Sequence, residues 1–524
     1  MELPPDMAQM DAPELRDLTA ALFAKLQQRE TELNERDAKL SQRDEELKYK
    51  QLKIDQLTHE MAVLKRWRFA KRSEQLDAVQ RTLLEESIDA DLEAIDLEIH
   101  ALRQAASKRK DQPRRVALPA NLPRREVLHE PDDLQCSCGC ALERIGEDIS
   151  EKLDYLPGVF QVERHVRGKW VCRQCEKLIQ APVPAQVIDK GIPTAGLLTQ
   201  VLVAKYADHQ PLYRQEGIFE RAGLPLPRST MAQWVGACGV QLQPLVAAMR
   251  ATLLSCSVLH ADETPVPMLK PGLSRTHRAY LWSYGTTEYD SLPIVVYDFA
   301  DSRSGAHARA FLGNWSGRLV CDDYSGYKAL FERGGVIEIG CAAHARRKVH
   351  ELYANHSSEI AEEALRYFGA LYEVEREARE RQLDAEGRHR LRQDRARPVA
   401  EALRQWLIRQ RGQVPVGSAT AKAIEYSLGR WVALVRYIDD GDLPIDNNHL
   451  ENRIRPVALG RSNWLFAGSL RAGQRAANVM SLIQSAKLNG HDPYKYLKDV
   501  LERLPTQPSS RLEELLPHRW HLVH

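Results

Sequence analysis

Residues 13 to 107 are densely charged and nearly free of glycine and proline. Within them Leu26, Leu33, Leu40, Leu47, Ile54 and Met61 recur every seven residues, and Leu57 and Leu64 add a second seam position near the end. With so few helix breakers, the stretch reads as one long helix, and the heptad repeat predicts a coiled coil. Between Leu26 and Lys50 the second seam position is polar in either frame, so the early heptads predict a weak zipper. A solvated helix packed on its own protein is the competing reading.

At about 100–200 residues per domain, the rest of a 524-residue chain holds several more. Residues 108–131 are rich in proline and basic side chains, which predicts a linker. A cysteine module follows over 132–185, with Cys136-Ser-Cys138-Gly-Cys140 and Cys172-Arg-Gln-Cys175. Structural Zn²⁺ takes four tetrahedral ligands, and thiolate pairs on tight turns suit it. Cys136, Cys138, Cys172 and Cys175 are the favoured set, because Gly139 can turn the chain after the first pair; Cys140 competes for the same position. Residues 190–250 read as short helices with a glycine-containing turn, compatible with a DNA-docking helix-turn-helix or with ordinary packing.

From 255 the pattern changes. Apolar, β-branched runs at 257–261, 279–284, 293–299, 318–321 and 336–342 predict strands, and 304–312 and 324–332 predict helices. That order predicts a mixed α/β domain over 255–470, with a helical insertion over 343–435. Helices are expected again at 445–455 and over 471–504, and the tail 505–524 is expected to be loosely held.

Three acids stand out in this setting. Asp262 ends the run Ser257-Val-Leu-His-Ala261, Asp322 ends Arg318-Leu-Val-Cys321, and Glu451 lies in the helical Asp446-Asn-Asn-His-Leu-Glu-Asn-Arg-Ile-Arg-Pro456. Carboxylates at such places are costly unless paired. Salt bridges, helix caps or metals could explain them, and two strand-end acids with a helix-borne third suit a pair of divalent cations. Their neighbours Glu263 and Asp323 compete for the same roles, but successive strand residues face opposite sides.

These residues carry a resemblance. His260-Ala-Asp262-Glu-Thr-Pro-Val-Pro267, Cys321-Asp322-Asp-Tyr-Ser-Gly-Tyr327, Cys341-Ala-Ala-His344-Ala-Arg-Arg-Lys348 and Ile445 to Pro456, running on to Gly468, resemble motifs of the transposases of bacterial insertion sequence 66 elements. Ala342 departs from the aromatic expected there, and Cys140 is an additional cysteine. The resemblance implies a DDE-type enzyme with an RNase H-like catalytic domain and Asp262, Asp322 and Glu451 as its triad. It implies two Mg²⁺ (or Mn²⁺) ions beside the structural Zn²⁺, cleavage of transposon-end DNA and joining to target DNA. A homo-oligomer on DNA is expected, with an accessory protein of the same element as a further partner.

The net charge of +1 says nothing of partners, but the basic clusters do. Lys65, Arg66, Arg68 and Arg72, together with His344, Arg346, Arg347, Arg455 and Arg461, are the candidate DNA contacts. Arg455 is also placed to pair with Glu451 one turn away. No apolar run approaches the roughly 18 residues of a membrane span, and the chain start lacks a signal-peptide form. A bacterial cytoplasmic, nucleoid-associated location is therefore expected. Two other functions fit the same residues: a nuclease of this fold that cuts without joining, and a non-catalytic zinc and helix-turn-helix DNA-binding protein.

Overall fold

A computed structural model describes residues 12–69, 78–103, 118, 120, 122–131, 134, 135, 140–156, 158–188, 191–270, 276–356 and 358–521. The chain forms two compact units, one of residues 1–70 and 95–110, the other of 71–94 and 111–524.

The smaller unit contains α1 (Ala12–Phe69) and the end of α2 (Ala78–Leu102). Leu57 buries against Ile95 and Ile99, with Met61, Leu64 and Leu102 around them. In one continuous helix Leu57 and Ile95 would be about 57 Å apart at 1.5 Å per residue. The single helix expected over 13–107 is therefore two helices, packed through its apolar end. Leu40 and Leu47 remain 58% and 63% exposed, so the earlier heptads find no partner within the described residues of this chain.

In the larger unit, residues 78–94 of α2 are anchored by buried acids. Glu86 accepts the Tyr213 backbone N–H at 2.9 Å, and Asp91 pairs with Arg475 at 3.0 Å. A small sheet follows, made of β1 (Arg124–His129), β2 (Glu143–Leu156), β3 (Val159–Val171) and β4 (Leu178–Gln180). β1 runs parallel to β3 from Arg124↔Val162 to His129↔Arg167. This corrects the linker expected over 108–131: Arg124-Arg-Glu-Val-Leu-His129 lies between prolines but contains none, so it can join a sheet edge.

Helices α3 (Ala195–Tyr206), α4 (Leu212–Arg221) and α5 (Arg228–Leu253) come next. Eight of the nine residues from Met231 to Gly239 are buried, so α5 is a core helix there and does not present an open recognition face along that stretch.

The principal sheet has β5 (Val258–Met268), β6 (His277–Gly285), β7 (Val295–Ala300), β8 (Gly317–Cys321) and β9 (Val336–Gly340), in the order β7-β6-β5-β8-β9. β6 lies antiparallel between β5 and β7, while β8 and β9 continue parallel to β5. The connections to the parallel strands carry α6 (Gly305–Leu312) and α7 (Lys328–Glu332). Alternation along the strands feeds two cores. Leu259 and Leu319 join the core containing α5, whereas Val258, Val320 and Ile339 join the core of the helical insertion.

That insertion comprises α8 (Ala342–His356), α9 (Glu359–Glu380), α10 (Ala385–Leu391), α11 (Arg397–Arg411), α12 (Ala419–Gly429) and α13 (Trp431–Val435). α14 (Asn448–Trp464) returns to the sheet, and α15 (Leu470–Leu488) covers its open edge. There Ser485 and Ser481 accept the β7 backbone N–H groups of Val295 and Tyr297 at 3.0 and 2.8 Å. α16 (Pro493–Arg503) precedes a tail that is not loosely held. Leu515 and Leu516 are fully buried, Tyr496 donates to the Leu515 carbonyl at 2.9 Å, and Trp520 donates to Asp499 at 2.7 Å. Its apolar residues find a pocket that local polarity does not reveal.

Candidate active site

β5 and β8 pair parallel as Val258↔Arg318, Leu259↔Leu319 and His260↔Val320. Asp262 follows that pairing by two residues and does not end its strand, because β5 runs on to Met268; Asp322 is the residue just past β8. Glu451 comes from the first turn of α14. The start of that helix is fastened to the strand by Asn447, which is fully buried. Its side-chain N–H₂ donates to the Ala261 carbonyl at 3.0 Å, its amide oxygen meets His260 Nδ1 at 2.6 Å, and its backbone N–H donates to Cys341 Sγ at 3.2 Å. Glu451 in turn donates its backbone N–H to the Asn447 carbonyl at 3.0 Å. One buried asparagine thus ties the helix carrying the third acid to the residue before the first.

Among the described residues the oxygens of Asp262, Asp322 and Glu451 do not gather within 4.8 Å of one another, whereas Glu451 does so with Cys341 and His344; the three acids still act on one another through their charges. Burial, then the charges of Glu263, Glu451 and Asp322, hold the Asp262 carboxyl well above the usual carboxylate range. Among the described residues, neither Asp262 nor Asp322 makes an ion pair; each accepts a nearby backbone N–H, from Glu263 at 2.8 Å and Tyr324 at 2.9 Å. Glu451 Oε2 is held by Arg347 at 3.2 Å, while the buried Oε1 has no hydrogen-bond donor. Two aspartates without an ion pair and a glutamate with one orphaned oxygen are hard donors of the kind that suit a divalent cation of the Mg²⁺ or Mn²⁺ class.

The neighbouring acids have other partners. Glu263 is buried and takes Arg303 Nε and Nη2 at 2.8 and 2.6 Å and the Tyr327 hydroxyl at 2.9 Å. Asp323 is exposed and pairs with Arg430 at 3.7 Å.

Residues 190–475, which carry all three acids, match the Transposase IS66 family. The chain belongs to the IS66 transposase family. Residues 481–518 match the IS66 C-terminal element, 133–176 the zinc-finger binding domain of transposase IS66, and 56–127 the Transposase C of IS166 homeodomain. Its relatives include the uncharacterized protein y4jD of Sinorhizobium fredii, 37% identical over 485 residues, covering 88% of this chain and 94% of that protein. A second, y4qI of the same organism, is 37% identical over 482 residues, covering 89% of each. A third, y4hP, is 32% identical over 494 residues, covering 90% of this chain and 88% of that protein.

The zinc-finger region of this IS66 chain supports a structural Zn²⁺. Cys172 and Cys175 lie on a tight turn after β3, closed by Glu176 N–H to the Cys172 carbonyl at 2.8 Å and by a left-handed Glu176 (φ 55°). Cys136 and Cys138 lie outside the described residues. Cys140 packs against buried Cys172, and its thiol donates to Gln174 at 2.6 Å.

The basic residues are dispersed. Lys65 is exposed on α1 in the smaller unit; Arg66 and Arg68 are on the same helix and Arg72 is outside the described residues. Arg346 and Arg347 project from α8 into a cleft of about 550 Å³ shared with His350, Arg376 and Arg379, which reaches Asn448 at the start of α14. Arg455 is exposed, and Glu451 pairs with His344 and Arg347 in its place. Arg461 lies on α14. His260, Asn447 and the Glu263–Arg303–Tyr327 network were not anticipated as site residues. Their signal was present only as their positions inside the motifs, since no local pattern pairs residue 260 with 447.

Proposed function

We propose that this IS66-family chain is a DDE transposase that cleaves a phosphodiester at the ends of its element and joins the freed 3′ end to target DNA. The observation that carries the reading is the influence of the Glu451 and Asp322 charges on buried Asp262, beside the end of β8, with a buried Glu451 oxygen left without a donor. Three antiparallel strands extended by two parallel ones support assigning the domain to the RNase H-like class.

In this reading Asp262 and Asp322 hold two Mg²⁺ or Mn²⁺ ions and Glu451 completes one site. When bound, such a pair supplies an acidified water and stabilisation of the leaving oxygen. The protein's own part is positioning. Asn447 and His260 fix the approach of α14, and Arg347 orients Glu451 so that Oε1 faces inward. Arg303 and Tyr327 draw Glu263 away from the ions. The exposed Arg346 and Arg455, with Arg461 and the cluster near Lys65, contact phosphates.

The architecture read from the sequence completes the proposal: a zinc-binding module with Cys136, Cys138, Cys172 and Cys175 as ligands, and dimerisation on DNA through the exposed heptads of α1. No helix among the described residues is long and apolar enough to cross a membrane.

The test is incubation of the full chain with DNA bearing the element's terminal repeats, with and without Mg²⁺. Metal-dependent cleavage and strand joining are expected, and Asp262→Asn, Asp322→Asn and Glu451→Gln each abolish both. Full activity in all three variants would refute the triad. Cleavage without joining would leave the nuclease reading.

A further inference from the structure

Cys341 immediately precedes α8, His344 lies in its first turn, and Glu451 faces them from α14. A thiol sulfur, an imidazole nitrogen and a carboxylate oxygen from these residues all lie within 4.8 Å of one another. His344 Nδ1 and Glu451 Oε1 are 3.5 Å apart, both buried, and neither has a hydrogen-bond partner among the described residues. Hydrogen bonds between such atoms are about 2.7–3.2 Å. Two ligands each about 2.0–2.1 Å from a tetrahedral Zn²⁺ are separated by roughly 3.3 Å. The observed gap is closer to the second figure.

The sulfur is prepared in the same direction. Cys341 Sγ accepts backbone N–H groups from Asn447, at 3.2 Å, and from His344. Donors of this kind stabilise a thiolate once it forms. Burial nevertheless pushes the free thiol up to about 12, so a metal must displace the proton. Glu451 keeps Arg347 on its other oxygen, which leaves Oε1 available.

We infer that Cys341, His344 and Glu451 form a binding site for a thiophilic divalent ion, Zn²⁺ by chemical class, separate from the cysteine module. On binding, the Cys341 thiol releases its proton to solvent, and bonds form from Sγ, His344 Nδ1 and Glu451 Oε1 to the ion. The imidazole proton stays on Nε2. Three protein ligands leave a fourth position for water. Sulfur and imidazole favour Zn²⁺ or Co²⁺ over Mg²⁺, whereas Asp262 and Asp322 offer hard oxygen alone. Because Glu451 belongs to both sets, Zn²⁺ here opposes Mg²⁺-supported cleavage. That consequence rests on the proposed catalytic role of Glu451; the site itself does not.

The experiment titrates Co²⁺ into the full chain with its cysteine module already loaded with zinc, and follows absorption. One further Co²⁺ is expected to bind with a thiolate-to-cobalt charge-transfer band. Cys341→Ser removes the band, His344→Ala weakens binding by about tenfold or more, and Asp262→Asn leaves both unchanged. Absence of a further Co²⁺, or its binding without the band, would overturn the site. Should Cys341→Ser fail to fold, undiminished affinity in His344→Ala, at a partly exposed position, would overturn it equally. Retained DNA cleavage by Asp262→Asn would count against the triad and leave the Co²⁺ result untouched.

Discussion

The helical insertion and the end of the principal sheet both bury acids, and they treat them in opposite ways. In the insertion, Arg392 is fully buried and binds Glu375 through Nε and Nη2 at 2.8 and 2.7 Å, while its Nη1 donates to the Tyr437 and Asp440 carbonyls at 2.9 and 2.8 Å. Both charges of this buried pair meet a complement. On β5, Asp262 is subject to the charges of Glu263, Glu451 and Asp322, and its carboxyl is driven upward by burial and by those like charges. Only the first arrangement is complete as a fold. The second crowds like charges around a buried carboxyl, and the proposed cation site rests on that feature.

Breaking the two arrangements should therefore affect stability in opposite senses. The largest effect is expected from Asp262→Asn, Asp322→Asn or Glu451→Gln, which should lower metal-dependent DNA cleavage by more than about a hundredfold, beyond the 10–100-fold of an outer-shell change. Asp262→Asn should at the same time leave the metal-free protein as stable or more stable in thermal melts. The sign follows from the raised pKa. Folded protein holds the Asp262 proton more tightly than unfolded chain, so this contribution is present below the unfolded value of 3.8 and is lost as pH rises through the folded one.

In the insertion, Arg392→Ala should cost about 3–5 kcal/mol, because it leaves Glu375 buried without a partner. Urea denaturation would measure this, and replacing both residues by apolar ones should recover much of the loss. Loss of stability from Asp262→Asn comparable to that from Arg392→Ala would break the comparison.

Asn447→Ala lies between the two regions. It should cost about 1–3 kcal/mol by orphaning buried partners. It should also weaken Mn²⁺ binding by about 10–100-fold through misplacement of Glu451. Calorimetry reads the second effect separately from the first.

His260 sharpens the same point by pH. Burial pushes its imidazole down from 6.5 to about 3. Its stabilising contribution is therefore intact above 6.5 and lost as pH falls toward 3, by at most about 1.4 kcal/mol per pH unit. His260→Gln should remove that component from the acid-unfolding profile. The smallest effect is expected of exposed Arg455: Arg455→Ala should reduce the salt dependence of DNA binding by a slope of about 1 without altering sequence preference.

Much of the sheet was legible because its strands are apolar runs bounded by turns; Asp322 does follow the end of β8, but Asp262 does not end its strand, since β5 runs on through Pro265 and Pro267 to Met268. The route of α14 was not. Asn447 is 187 residues from His260, and nothing in either segment states that they meet. The same limit hid the burial of the tail, where Leu515, Leu516 and Trp520 look like isolated apolar residues until α16 is beside them. It also hid β1, whose pairing with β3 spans 38 residues from Arg124 to Val162. The N-terminal helix was read as continuous because heptads report periodicity and are silent about where a helix folds back. In each case the missing information was long-range contact.

Calorimetric titration of Mn²⁺ into the zinc-loaded full chain tests the central claim most directly. Saturable binding is expected in the unaltered protein, and its loss or severe weakening in Asp262→Asn, Asp322→Asn and Glu451→Gln taken one at a time. Undiminished binding in both aspartate variants would contradict the assignment of Asp262, Asp322 and Glu451 as a shared metal site.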